Sequence, residues 1–461
     1  MRELIVVTCA LLLSGCNGAQ EYLNAPPDAE VDGDWREYFG SHEPQPYSRS
    51  VRGVGRGALG PAAFTGPAPG EAVALAVRDV PAHHDVVLTV GGLGSGRRSA
   101  AVADYLALVQ ADSGHSWTTG VRDAALRIHG RGGRPERIYW QIGNEINSDA
   151  VSGRALEWRN RAGRGSANDP DVIPFYVETY FAPTVQGLRD ASQRLYGSTD
   201  SIRVALGSVT QTGTPEGRAW LRQLLDYRIE GSYAPELAGR RVADLVDIVT
   251  VHYLVTIEES RWRTGLEDVW AHVGTGRLRG IWSTEELGRQ RGESGEGAAT
   301  ALRVAARYLH WWLERGVGPD AGRCFFWGGG LGPEGSRGAE AMNRMHSFLG
   351  ETRLRPVDAV PVGAGLEAET YAFTGTITGR TVVIVSATTR DVRVTEIRVP
   401  AWSAGTVRVD ATSYERGRTR SVPASSTVEG TELVIRLSNH FTLPRRGTLA
   451  LFLTPRGSRS E

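Results

Sequence analysis

The chain has 461 residues, 41% of them hydrophobic, with 52 basic and 52 acidic residues and a formal net charge of +0. That length suits a large α/β domain with a smaller companion, and the balanced charge gives no reason to expect nucleic acid or an anionic surface as partner. All 52 basic residues are arginine, which excludes chemistry that rests on a lysine, whether a Schiff base or a P-loop.

The N-terminus reads as an export signal. Arg2 supplies the positive end, residues 5–13 form a short apolar run, and the run stops at Leu13-Ser14-Gly15-Cys16. It is too short to span a bilayer as a mature helix. Leu-Ser-Gly-Cys resembles the lipobox of bacterial lipoproteins, which implies a signal over 1–16 and a lipid on Cys16. A plain secretory signal is the alternative. Asn17, rather than Asp, argues mildly against retention at an inner membrane. The lipid bilayer is thus an expected partner, through the anchor, and the expected location is a bacterial cell envelope. Residues 17–45 are polar and punctuated by Pro26, Pro27 and Pro44, the composition of a tether.

Of the three cysteines, Cys9 leaves with the signal and Cys16 takes the lipid. Cys324 is left alone in an apolar strand, where a buried inert thiol is expected. No His/Cys/Asp spacing fits a metal, so neither metal nor cofactor is expected.

From 46 to 350 strand and helix signals alternate. Strands are expected at 85–90, 138–142, 202–206, 246–251, 280–283 and 323–327. Helices are expected at 99–110, 118–129, 173–195, 216–227, 297–315 and 339–349. Such β-then-α units in series call for a parallel sheet with helical crossovers. Polar or aromatic residues end several strands, and no dinucleotide-binding glycine pattern follows the first, so a closed (β/α)8 TIM barrel is expected over an open sheet. Residues 46–84 offer only 51–59 and 72–77 as poor candidates for the barrel's first quarter. From 351 to 461 the period changes to two, with expected strands at 370–373, 381–386, 392–399, 406–410, 432–437 and 448–453. That pattern predicts a small antiparallel β-sandwich.

The most informative stretch is Ile138-Tyr-Trp140-Gln-Ile142-Gly143-Asn144-Glu145. A buried strand ends in a glycine turn and an Asn-Glu pair, which places a carboxylate on the face of a barrel that carries chemistry. A second short apolar strand, Gly280-Ile-Trp282-Ser-Thr284-Glu285-Glu286, offers a second carboxylate. Two carboxylates on two strand ends are the equipment for cleaving a glycosidic bond. Read alone, Asn-Glu is also an ordinary turn and helix cap. Glu286 competes with Glu285 for the second position, His252 is also readable as a core histidine, and Trp327 as core.

Here a resemblance becomes specific. Trp140-Gln-Ile-Gly-Asn144-Glu145 is similar to the fourth-strand signature of clan A glycoside hydrolases. Trp282-Ser-Thr-Glu285 is similar to their seventh-strand segment, and Val249-Thr-Val-His252-Tyr253 to the sixth. Phe325-Phe-Trp327 resembles the eighth-strand end. A barrel followed by a β-sandwich is the layout of families 39, 51 and 30 of that clan, and the resemblance covers roughly residues 85–455. It implies a retaining glycosidase with Glu145 as acid/base and Glu285 as nucleophile. Glu145 is then expected to be protonated at rest by a partly apolar site and the neighbouring negative charge. Asn144, His252, Tyr253 and Trp327 are implied to bind the substrate, a carbohydrate, with Tyr253 or His252 also keeping Glu285 ionised. Glu286 departs from the pattern, since many relatives carry an aromatic there. The twelve tryptophans suit stacking on sugar rings, with core filling as the alternative. Two other readings use the same residues. One is a carbohydrate-binding lipoprotein without turnover; the other is a transglycosylase that remodels envelope polysaccharide.

Overall fold

A computed structural model describes residues 31–32, 38–41, 56–59, 68–78, 85–90, 109, 112–132, 135–159, 165–257, 261–286, 297–326, 337–350, 353–363, 368–401, 407–415, 418–438 and 441–455. Cys16, most of the tether, the expected helix at 99–110 apart from Val109, Glu258, Glu259 and Trp327 lie outside the described residues. The chain packs as two compact units, one over 52–285 and the other over 286–461 with the described residues 31–32 and 38–40.

The first unit is an α/β structure. Its strands are β1 (Arg56–Leu59), β2 (Val86–Val90), β3 (Ile138–Ile142), β4 (Arg203–Leu206), β5 (Ile248–His252) and β6 (Gly280–Glu286). They pair in chain order, all parallel, as a curled six-strand sheet. Strands β2, β3, β5 and β6 are buried along their whole length, as expected of parallel strands covered on both faces. The helices between them are α1 (Glu71–Arg78), α2 (His115–Gly132), α3 (Asp149–Trp158), a continuous run numbered α4 (Val172–Tyr176, a π-turn Val177–Phe181, Ala182–Tyr196), α5 (Pro215–Asp226) and α6 (Trp262–Trp270). Residues 56–78 thus form one short β-then-α unit where the sequence shows only weak signals.

Local chemistry sets several of these boundaries. Thr214 caps α5 by accepting from the Gly217 N–H at 3.0 Å, with Pro215 in the first turn, where its missing N–H has no cost. Helices α2 and α4 approach closely because position 187 is glycine; a Cβ there would stand 2.5 Å from the Thr118 carbonyl. Trp117 donates to Thr184 across the same contact at 2.9 Å.

The strand bottoms are tied by a buried aspartate. Asp247, with no solvent exposure, accepts from the Val204 N–H at 2.8 Å and from Arg203, Arg277 and Arg279. Arg277 also donates to the carbonyls of Asp200 and Ile202 at 2.8 and 2.9 Å. One carboxylate thereby knits the entry ends of β4, β5 and β6.

The second unit carries α7 (Ala298–Glu314), β7 (Gly322–Phe326), α8 (Arg337–Leu349) and antiparallel strands β8 (Arg353–Val357), β9 (Val360–Val362), β10 (Ala368–Gly375), β11 (Thr381–Ala387), β12 (Glu396–Pro400), β13 (Val407–Glu415), β14 (Arg418–Val422), β15 (Ala424–Glu429), β16 (Glu432–Leu437) and β17 (Thr448–Pro455). Seven strands pair in the order Val31–Asp32, β8, β10, β11, β17, β13, β14, and four in the order β9, β12, β16, β15. The two sheets share one apolar core, with Val383, Val385, Leu449 and Leu451 from one and Ile397, Val399, Leu433 and Ile435 from the other. Along β11 and β17 the alternate residues Val382, Ile384, Ala450 and Phe452 are buried on the opposite face, where α7 and α8 pack; Phe348 meets Phe452 edge-on at 5.2 Å. Cys324 in β7 is buried, and burial pushes its thiol far above the ordinary range, an inert thiol as the sequence suggests.

Candidate active site

The site grows from the exit ends of β3, β5 and β6. After Ile142 the backbone turns at Gly143 (φ +93°), where a Cβ would stand 2.8 Å from Ile146 Cγ2. Glu145 follows with φ +48°, a left-handed conformation that a side chain other than Gly, Asn or Asp adopts at a cost and that clusters at functional sites. The loop is pinned on its far side. The Ile146 N–H donates to the Ser208 carbonyl at 3.0 Å. The Asn147 side chain both donates to the Thr210 carbonyl and accepts from its N–H, each at 2.9 Å.

Helix α4 supports the same strand ends. Tyr176 donates to the Ile142 carbonyl and Tyr180 to the Val90 carbonyl, each at 2.7 Å. Burial pushes both phenols well above their ordinary values, with the Tyr176 hydroxyl adding to the shift of Tyr180. They remain protonated donors. The π-turn follows Tyr176 directly and contains Tyr180.

Strand β6 has an irregularity where it matters. Val251 is opposite Ser283, but the next residue, His252, is opposite Glu285. Thr284 is therefore the extra residue of a bulge, a device that re-aims side chains beside active sites. Tyr253, just beyond β5, has φ +54°; its N–H donates to the Glu285 carbonyl at 2.9 Å and its hydroxyl donates to Glu285 Oε2.

These turns bring Glu145, His252, Tyr253 and Glu285 together. His252 Nδ1 is 3.4 Å from Glu145 Oε1 and 3.7 Å from Glu285 Oε2. One oxygen from each glutamate and one ring nitrogen of His252 all lie within 4.8 Å of one another. The side chain of His252 is 0% exposed, against 13% for Glu145 and 9% for Glu285. The histidine is thus a buried floor, and the carboxylates are what a ligand can reach. Its ring touches both glutamates from a fully buried position. Among the described residues Glu145, His252 and Glu285 are the group that could hold a metal ion, and their wide separation in sequence hides that from any spacing motif.

Behind His252 runs a buried polar chain that sequence reading missed. His252 Nε2 is 3.1 Å from Thr284 Oγ1, Thr284 is 3.3 Å from Ser208 Oγ, and Gln141 Nε2 donates to Ser208 at 2.8 Å and to the Gly143 carbonyl at 3.0 Å. A glutamine inside the apolar strand 138–142 was the available signal, since a buried amide needs partners.

Asn144 is half-buried beside Glu145. Glu286 is fully buried and accepts from Tyr308 at 2.9 Å, so the neighbouring carboxylates of β6 serve different partners. Trp117, Trp140, Trp220, Trp282, Trp311 and Trp312 are all fully buried, which assigns these six to core filling rather than to stacking platforms. Trp140 donates to His129 on α2 at 3.0 Å.

No protein-family profile matches the sequence, and no curated protein matches it. Solved structures do. The chain is similar to a bifunctional glucanase–xylanase from a metagenome library (13% identity, 93% of this chain and 98% of that one, TM-score 0.53). It is also similar to a glucosidase from Croceicoccus marinus (10% identity, 95% and 98%, TM-score 0.50). A third is a β-porphyranase of glycoside hydrolase family 86 from Bacteroides plebeius (11% identity, 94% and 76%, TM-score 0.51). At such identities the likeness is one of fold: an α/β fold with a curled parallel sheet and C-terminal antiparallel sheets, shared with glycoside hydrolases.

Proposed function

We propose that this protein is a retaining glycoside hydrolase that cleaves O-glycosidic bonds of an oligo- or polysaccharide with Glu145 as acid/base and Glu285 as nucleophile. The observation that carries the reading is the convergence of the half-buried Glu145 and the buried Glu285 on one buried histidine, with carboxylate oxygens within 4.8 Å of each other. Retaining enzymes hold their carboxyl groups roughly 5–5.5 Å apart, and inverting enzymes need room for a water between them. The glycosidase neighbours of the fold support a glycosidase, and the choice of the retaining course rests on the carboxylate spacing alone. The six-strand sheet is then the larger part of a (β/α)8 barrel, and the site lies at the exit ends of its strands, where such barrels keep their chemistry.

The reaction uses each group in turn. Glu285, held by the Tyr253 hydroxyl, attacks the anomeric carbon while Glu145 gives its proton to the departing glycosidic oxygen. A glycosyl ester forms on Glu285. Glu145, now a carboxylate, takes a proton from an incoming water, which displaces Glu285 and releases the sugar with its original anomeric configuration. His252 touches both carboxylates and acts through them as a positioning residue. Asn144 lies where it can meet the sugar beside the bond that breaks. At Cys16 the lipobox reading makes this a lipid-anchored protein of the cell envelope. Cys16→Ser is expected to move it from the membrane fraction to the soluble one, and unchanged fractionation contradicts the anchor.

The direct test is an assay of the chain from residue 17 on aryl furanosides, aryl pyranosides and common polysaccharides, with Glu285→Gln as blank. Release of sugar that depends on Glu285 is expected. Binding of a glycan with no release would replace the enzyme with a carbohydrate-binding protein.

A further inference from the structure

We infer that Glu145, His252 and Glu285 together are also a zinc-binding site, and that zinc shuts the enzyme by occupying its two glutamates. The inference rests on the glycosidase reading only for its inhibitory half. Zinc binds imidazole and carboxylate at about 2.0–2.2 Å with tetrahedral geometry, so two ligand atoms on one ion stand about 3.3–3.6 Å apart. His252 Nδ1 is already 3.4 Å from Glu145 Oε1 and 3.7 Å from Glu285 Oε2. The remaining pair lies within 4.8 Å, which a small rotation of two carboxylates closes.

The imidazole is held in the state that a metal requires. Thr284 Oγ1, 3.1 Å from His252 Nε2, can accept a hydrogen bond from an Nε2–H, which leaves the Nδ1 lone pair facing the carboxylates. An outer partner that fixes the tautomer of a ligating histidine is the usual companion of zinc sites. Ser208 and Gln141 in turn hold Thr284. The donor set of one imidazole and two carboxylates selects zinc or a similar transition ion over calcium and magnesium, which favour all-oxygen shells. A fourth position is left for water. The bound ion takes up both carboxylates, so a sugar and the ion exclude each other.

The test is calorimetric titration of the intact protein with zinc chloride in a buffer that does not chelate it. One site in the micromolar range is expected in the wild type. Glu145→Gln, Glu285→Gln and His252→Gln are expected to abolish it, each checked for folding by circular dichroism. Thr284→Val keeps all three ligands and is expected to weaken zinc about 10–100-fold. Equal zinc affinity in the wild type and in folded ligand variants, or no wild-type binding up to about 1 mM, would overturn the site. On any glycan that the enzyme cleaves, zinc is expected to inhibit competitively and chelator to restore the rate. Stimulation by zinc would overturn the inhibitory role. Zinc bound at the trio of a protein that cleaves no glycan would leave the site standing and remove the glycosidase, so the two failures are distinguishable.

Discussion

His252 Nδ1 stands 3.4 Å from Glu145 Oε1, which joins residues that are 107 positions apart in the chain. The same nitrogen is 3.7 Å from Glu285. One buried ring therefore sets the position of both carboxylates. Loss of such support misplaces reacting groups by fractions of an ångström to an ångström, which costs about 10²-fold in rate. His252→Ala is expected to lower kcat by that order with KM little changed, because a fully buried ring acts through the two carboxylates it touches. A variant that raises KM alone would make His252 a substrate contact.

Glu285 and Glu286 are adjacent but serve different partners, Tyr253 and Tyr308. Glu285→Gln is expected to cut turnover by several orders of magnitude. Glu286→Gln keeps an oxygen that accepts from Tyr308 and is expected to retain most activity. Steady-state kinetics on the two variants decide it, and a dead Glu286→Gln beside an active Glu285→Gln reverses the assignment.

Asp247 is buried with bonds from three arginines. Removing one partner of a buried charged network leaves the others uncompensated, at about 3–5 kcal/mol. Asp247→Ala is expected to lower the unfolding free energy, measured by urea denaturation, by an amount in that range. A change under about 1 kcal/mol would place the cluster among surface ion pairs of little consequence.

His129 gives the fold an acid limit. Burial lowers its pKa from 6.5 to about 4, and its Nε2 accepts from Trp140, which requires the neutral ring. Between those values the unfolded chain carries the extra proton, so stability is full above about pH 6.5 and falls as the pH drops toward about 4. The loss amounts to about 3 kcal/mol. Unfolding midpoints measured from neutral to acid pH are expected to fall in the wild type and to fall less in His129→Gln, which keeps an acceptor for Trp140. Parallel pH profiles would remove His129 from this account.

Much of this architecture is legible in the residues. The apolar runs at 138–142 and 246–251 announce buried parallel strands, and the change of period after 351 announces antiparallel sheets. Other elements escape for physical reasons. Helix α3 buries only Val151, Ser152 and Ala155, so its apolar residues draw no strong stripe, and strands β14 and β15 lie at sheet edges with exposed residues and no apolar alternation. The expected strand at 392–399 is broken into Val392–Arg393 and Glu396–Pro400. The π-turn in α4 leaves no trace in an otherwise helical pattern. At the site, Glu145, His252, Tyr253 and Glu285 are visible as polar residues at strand ends. The chain of Gln141, Ser208 and Thr284 is not, because it depends on how three strands align and on one bulged residue.

The central claim assigns different roles to two glutamates, and azide distinguishes them. Glu145→Ala leaves the glycosyl ester on Glu285 able to form from an aryl glycoside, and azide then displaces it. Two displacements give a glycosyl azide with the anomeric configuration of the substrate. Glu285→Ala lets azide attack the substrate directly, and one displacement gives the opposite anomer. The account predicts that pair of products by NMR. The reverse pairing, or rescue confined to Glu286→Ala, would contradict it.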